Sequence, residues 1–281
     1  MSNIGIKRCE YNADMTGVRN FVKFITLVAL FGILSDSALG HALLWENDPY
    51  WTYWITKTFL IATVFALGTA WLGVGPGKGA IITAIHTVIL TIYYWSFSPV
   101  GLPRKIEWLD LEHTWTTGIP IHFIVIYIGY LVALWLWRQS GAGEIGLVRA
   151  RPIVIKGLLA AIVVVLVLGS ASSLFLYQFV GATWFVTRLL IVYMFLLFFL
   201  VYLPQTNNNI LVTSLILALI LTIYSHWLSP LGLPGTWRVL NEASPQTNIR
   251  WLNYKELWLY QFPIYLLSNL LGLWLAKKWI R

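Results

Sequence analysis

A single cysteine, Cys9, in 281 residues excludes an internal disulfide, a CxxC redox pair and a thiolate metal cluster. It leaves a free thiol in the polar amino-terminal stretch. Charge is scarce as well: Asp, Glu, Lys and Arg make up 11% of the chain, against 58% apolar residues. With a mean hydropathy of +0.73, the chain has too little polar surface for a soluble globular domain, and the lipid bilayer is its expected partner. The formal charge of +8 would point to nucleic acid in a soluble protein. Here the cations sit beside apolar runs, where membrane topology accounts for them, so no nucleic-acid partner is expected.

Long apolar runs are present in number. Stretches of the length that crosses a bilayer occur near 21 to 44, 51 to 73, 79 to 97, 118 to 138, 153 to 178, 183 to 204, 209 to 228 and 256 to 276. The expected fold is an all-α integral membrane protein of about eight transmembrane helices, with both termini on one side. That side carries Lys7, Arg8, Arg19, Lys23, Lys78, Arg138, Arg149, Arg151, Lys156, Lys277, Lys278 and Arg281 against Glu10, Asp14 and Glu144. The remaining seven cations meet eight acids. Retention of Lys and Arg in the cytoplasm makes the cation-rich side, with both termini, cytoplasmic, and places the protein in the plasma membrane. Lys7, Arg8, the apolar run from Phe21 to Leu34 and Ser37-Ala38-Leu39-Gly40 also fit a secretory signal cleaved after Gly40, which would make His41 the amino terminus. The repeat described next favours a retained first helix.

Thr91-Ile92-Tyr93, Ser98-Pro99 and Gly101-Leu102-Pro103 recur as Thr222-Ile223-Tyr224, Ser229-Pro230 and Gly232-Leu233-Pro234. Thr56-Lys57 matches Thr187-Arg188, Ser37 and Leu39 match Ser172 and Leu174, and Trp108, Trp115, Pro120 and Gly129 match Trp251, Trp258, Pro263 and Gly272. Two tandem four-helix halves are expected, 1–145 and 146–281, in the same orientation and related by a pseudo-two-fold axis along the membrane normal. The SPxGLP segments close the third helix of each half, because Pro cannot continue a helix and Gly permits the turn. Gly75-Pro76-Gly77-Lys78 lacks the ending and the preceding strand of a phosphate loop and reads as a turn. The tryptophans near helix ends read as interfacial anchors.

Ionisable groups inside a bilayer are costly and are usually paired or functional. Asp36 and Lys57 lie at matching depth, roughly 10 to 13 Å in, which permits an ion pair. The second half keeps a cation at Arg188 but has Ala171 where the first has Asp36. Arg188 is therefore a candidate substrate-binding residue for a carboxylate or phosphate. His41, His113 and His122 lie toward the outer side, and His86 joins them if its face turns inward. With Asp110 and Glu112 nearby they form a candidate site for Cu, Fe or Zn, or for haem. In that reading His41, His86, His113 and His122 are ligands, and Asp110, Glu112, Asp36 and Lys57 serve the chemistry. Their counterparts in the second half are Leu176, Leu217, Glu256 and Tyr265 for the four histidines in order, so one half reads as chemical and the other as scaffold.

The leading functional expectation is a metal- or haem-dependent redox or oxygenase-type membrane enzyme acting at the outer face on a lipophilic or small substrate. In general plan alone, two four-helix halves with unequal histidine content, the chain resembles haem A synthase. None of that family's sequence motifs is present, and no residue is carried over from it. The alternatives are a proton- or ion-coupled transporter, with Asp36, Lys57, His86 and Arg188 as its polar path, and a structural subunit held by other membrane subunits.

Overall fold

The computed structural model describes residues 3–40, 42, 51–96, 114–176, 180–203, 207–225 and 257–279. All regular structure among them is helical: α1 (Asn3–Ser35), α2 (Trp51–Leu72), α3 (Pro76–Ser96), α4 (Ile119–Gln139), α5 (Leu147–Leu176), α6 (Ala182–Tyr202), α7 (Asn207–Ile223) and α8 (Phe262–Trp279). Single π-helical turns, Asp36–Gly40, Thr114–Gly118 and Leu257–Gln261, follow α1 and precede α4 and α8. The SPxGLP segments lie outside the described residues.

Among the described residues six stretches are long and apolar enough to cross a membrane: Met15–Gly40, Trp54–Leu72, Thr116–Gln139, Leu147–Leu176, Trp184–Tyr202 and Trp258–Lys278. The apolar part of α7, Asn208–Ile223, is shorter, and α3 opens with Pro-Gly-Lys-Gly, which shortens its apolar run. The preference for helix follows from the solvent. In hydrocarbon every backbone N–H and C=O must find its partner within the segment, and a helix provides that locally.

The chain forms two compact units. One comprises Met1–Asp48, Trp54–Gly157 and Leu200–Tyr202; the other comprises Pro49–Tyr53, Leu158–Phe199 and Leu203–Arg281. In the first unit α1 packs along α4, and α3 packs on the same helix. The polarity of α3 is inverted relative to a soluble helix. Its buried face carries Thr83, His86 and Thr87, while Ile81, Ile85, Val88, Ile89 and Ile92 are exposed. That arrangement places its polar groups away from an apolar solvent, as a bilayer requires.

Small residues set how closely α1 and α4 approach. A Cβ on Gly129 would lie 2.5 Å from the Phe31 carbonyl oxygen and 2.7 Å from the Gly32 Cα. The neighbouring atoms are backbone and cannot rotate away, so glycine is required there. One helical turn beyond Gly32 stands Asp36, and two turns before Gly129 stands His122. The close approach therefore fixes the distance between those two side chains. Tyr130, fully buried, fills the centre of the unit. Its ring stacks on Phe65 at 5.4 Å and meets Phe24 edge-on at 6.2 Å, and Gly79 leaves the space that the ring occupies.

At the far end of α2, Gly73 adopts φ +89° and its N–H reaches the Thr69 carbonyl at 2.9 Å, a left-handed helix stop that glycine adopts without strain. Arg151 donates from Nε to the Ala70 carbonyl at 2.5 Å and from Nη2 to the Trp71 carbonyl at 3.1 Å. A cation thus closes the negative end of α2.

Gly129→Ala is expected to destabilise the protein by about 1–3 kcal/mol, the usual cost of overpacking. Gly77→Ala, with no atom within 4 Å of the added Cβ, should leave stability unchanged or slightly raised. Thermal unfolding of the two variants in detergent, followed by tryptophan fluorescence, checks the contrast.

Candidate functional site

The site grows from the end of α1. The α-helical hydrogen-bond ladder widens into the π turn Asp36–Gly40, a local departure common where a side chain is being re-aimed. Asp36 opens that turn with its side chain fully buried. Lys57, on the buried face of α2, donates from Nζ to Asp36 Oδ2 at 2.5 Å. His122, one turn into α4, places Nδ1 at 3.0 Å from Asp36 Oδ1. Each carboxylate oxygen thus serves a different partner on a different helix. An ionised carboxylate only accepts, so the ring proton of His122 sits on Nδ1. The pair permitted by matching depth is formed, and His122, expected as a metal ligand, places Nδ1 on Asp36, a contact that metal-bound histidines also make.

Little of this cluster reaches solvent: side-chain exposure is 0% for Asp36, 2% for Lys57 and 8% for His122. Charges so placed are tolerated only when paired and hydrogen-bonded. Lys57 also lies 5.9 Å from the Trp54 ring centroid, within cation–π range.

His86 does turn inward. It is completely buried, and neither ring nitrogen has a hydrogen-bond partner among the described residues. Phe65 lies beside it at 6.2 Å between ring centroids, and it stands within electrostatic reach of Asp36, His122 and Lys57. A buried imidazole with both nitrogens unpartnered is uncommon and calls for an explanation.

Below this level hydroxyls replace charges. The hydroxyl of Thr83 donates to the Gly79 carbonyl at 2.8 Å and that of Thr87 to the Thr83 carbonyl at 2.9 Å. On α2, the hydroxyl of Thr69 donates to the Phe65 carbonyl at 2.5 Å, and the Thr63 hydroxyl is buried without a partner among the described residues. Thr63 and Thr69 fall about 9 and 18 Å along the helix from Lys57. The series ends at the α2–α3 turn, where the Tyr130 hydroxyl accepts from the Gly75 N–H and donates to its carbonyl, both at 3.2 Å. Polar groups thus occur along the interior of this unit well beyond the ionisable cluster. Threonine is frequent in apolar helices, so its spacing alone gave no signal.

Of the other residues expected from sequence, His41, Asp110, Glu112 and His113 lie outside the described residues. Among the described residues no group of three or more His, Cys, Asp or Glu could hold a metal ion. The expected Cu, Fe, Zn or haem ligation therefore finds no assembled set there, with His86 and His122 the two expected ligands described. Arg188 belongs to the second unit. It is buried on α6, donating from Nη1 to the Thr187 hydroxyl at 3.2 Å and from Nη2 to the Ser225 hydroxyl at 3.1 Å. Ser225, Tyr265 and Gln261 around it were not singled out from sequence, because uncharged polar residues carry no recognisable spacing.

Removing one partner of a buried pair strands the other, at about 3–5 kcal/mol, whereas replacing both with apolar groups is often close to neutral. Asp36→Leu and Lys57→Met are each expected to destabilise by about that amount, and the double variant by less than either. Unfolding midpoints of the three variants decide it; independent, additive losses would show that the pair is not coupled. No protein-family model, curated protein or solved structure matches this chain.

Proposed function

We propose that the chain is a proton-coupled membrane carrier whose proton-handling group is the Asp36–Lys57–His122 cluster. One observation carries the reading: a carboxylate, an ammonium and an imidazole are joined through Asp36, with all three buried. As Asp⁻, Lys⁺ and neutral His the cluster has no net charge. Gaining one proton, on Asp36 or on His122, leaves one positive charge in a low-dielectric interior. That state becomes accessible when an anion enters with the proton, and losing the proton releases the anion. Coupling of proton to anion follows from charge balance alone. His86, beside the cluster, is an acceptor in its neutral form and extends the relay. The polar groups from Thr63 to Tyr130 support a route beyond the cluster, where the spans offer almost no ionisable residue.

In this reading the chain crosses the membrane eight times, as two four-helix repeats, 1–145 and 146–281, in one orientation. Support comes from recurring features. Single π turns precede both α4 and α8, and Gly129 and Gly272, matched in the repeat, each press against helix backbone within their own unit. The distribution of Lys and Arg supports cytoplasmic termini and a cluster nearer the outer face.

The metal- or haem-dependent redox reading is the second proposal. It is favoured by one observation, the two unpartnered nitrogens of His86, and depends on His41, Asp110, Glu112 and His113.

Proteoliposomes loaded with a pH-sensitive dye test the first reading. With an imposed pH gradient and inorganic phosphate or succinate outside, proton entry should exceed that of protein-free vesicles and fall to their level in Asp36→Asn. Entry at the protein-free rate throughout, together with stoichiometric Fe, Cu or Zn or a haem absorption band in the same preparation, would transfer the assignment to the redox reading. Topology has its own probe in the single cysteine. A membrane-impermeant maleimide added to intact cells should leave Cys9 unlabelled and should label it after permeabilisation; labelling of intact cells would reverse the orientation.

A further inference from the structure

The second unit holds a buried cation whose surroundings differ from those of Lys57. Arg188 is 4% exposed, and among the described residues no carboxylate lies within ion-pair distance of it, the ion pairs there being those of Asp36. The guanidinium carbon stands over the rings of Trp184 and Tyr224, 5.0 Å from each centroid. Cation–π contacts of this kind moderate a buried charge without neutralising it. A guanidinium has five N–H donors. One nitrogen donates to Thr187 and one to Ser225, and among the described residues Nε has no partner.

From Ser225 the polar groups continue. Its hydroxyl stands 3.2 Å from the Tyr265 hydroxyl, and Gln261 donates to the Tyr265 hydroxyl at 2.7 Å from its amide nitrogen. These residues come from three segments: α6, the two residues that follow α7, and the π turn with the first turn of α8. The Tyr224 hydroxyl and the Gln261 carbonyl oxygen are buried without partners among the described residues. In a bilayer-spanning unit each such group costs free energy unless something satisfies it.

We infer that Arg188 is the anchor of a buried oxyanion-binding site in the second unit, taking a carboxylate or a phosphate group. Along the guanidinium edge a planar fork of N–H donors matches two oxygens of one group. Nε–H and a terminal N–H supply the fork, and the Ser225–Tyr265–Gln261 chain holds the terminal nitrogen in place. The inference stands independently of the proton-coupled reading, since it needs neither Asp36 nor proton movement. A lipid headgroup and a free small anion offer the same chemistry, and binding separates them.

The test uses the full chain, purified in neutral detergent with chloride as the only anion, and reads the thermal unfolding midpoint. One arm titrates inorganic phosphate or succinate; the other compares phosphatidylcholine nanodiscs with and without phosphatidic acid. A saturable rise in the first arm identifies a soluble oxyanion, and a rise confined to the second identifies a headgroup. Arg188→Gln should abolish the rise, and Arg188→Lys, which keeps the charge but loses the fork, should weaken apparent affinity by at least about tenfold. Should Arg188→Gln fail to fold, the wild-type titration and Arg188→Lys decide the matter. The inference is overturned by the absence of a saturable rise in both arms, by an equal response to chloride, or by unchanged affinity in either Arg188 variant.

Discussion

The carboxylate of Asp36 is the interaction on which the first unit depends. One oxygen holds Lys57 on α2 and the other holds His122 on α4, so a single side chain at the end of α1 ties three helices together. In water such contacts would add little. Within an apolar bundle the alternative to pairing is a stranded charge, and the three groups become mutually obligatory. The π turn that begins at Asp36 and the glycine contact of Gly129 with Gly32 are the backbone features that allow the three to meet.

Packing elsewhere in that unit serves the same geometry. Leu and Ile do not drive helices together when lipid is as apolar as they are, so close approach relies on small residues and on polar contacts. Gly129 lets α1 and α4 touch backbone to backbone, and Gly79 admits the Tyr130 ring. That ring then organises Phe24 and Phe65, and Phe65 in turn lies beside His86. A shift of one helix would be felt at the ionisable cluster through this series of contacts.

The two buried cations illustrate different ways of keeping a charge in a bilayer. Lys57, a compact ammonium, meets a carboxylate. Arg188, delocalised and flat, lies against the rings of Trp184 and Tyr224 and donates to hydroxyls. In the sequence match between the two halves, Lys57 and His122 correspond to Arg188 and Tyr265, so the two ways of holding a cation fall at matched positions.

Composition and run length determined on their own that this is a helical membrane protein, because the cost of an unsatisfied backbone in lipid leaves long apolar segments one local solution. Matching depths along two helices also made the Asp36–Lys57 pair legible, since rise per residue converts sequence position into distance. The contact of the third member, His122, with Asp36 was not legible, because which face of α4 meets α1 depends on the close fit at Gly129 and Gly32. His86 was equally ambiguous until packing turned it inward. The residues around Arg188 were not legible at all: hydroxyls and an amide acquire a role only when three distant segments bring them to one guanidinium. Periodicity and charge cost are properties of a segment, and the sequence carries them in full. Which side chains converge is a property of helix contacts, and only the tertiary structure decided it.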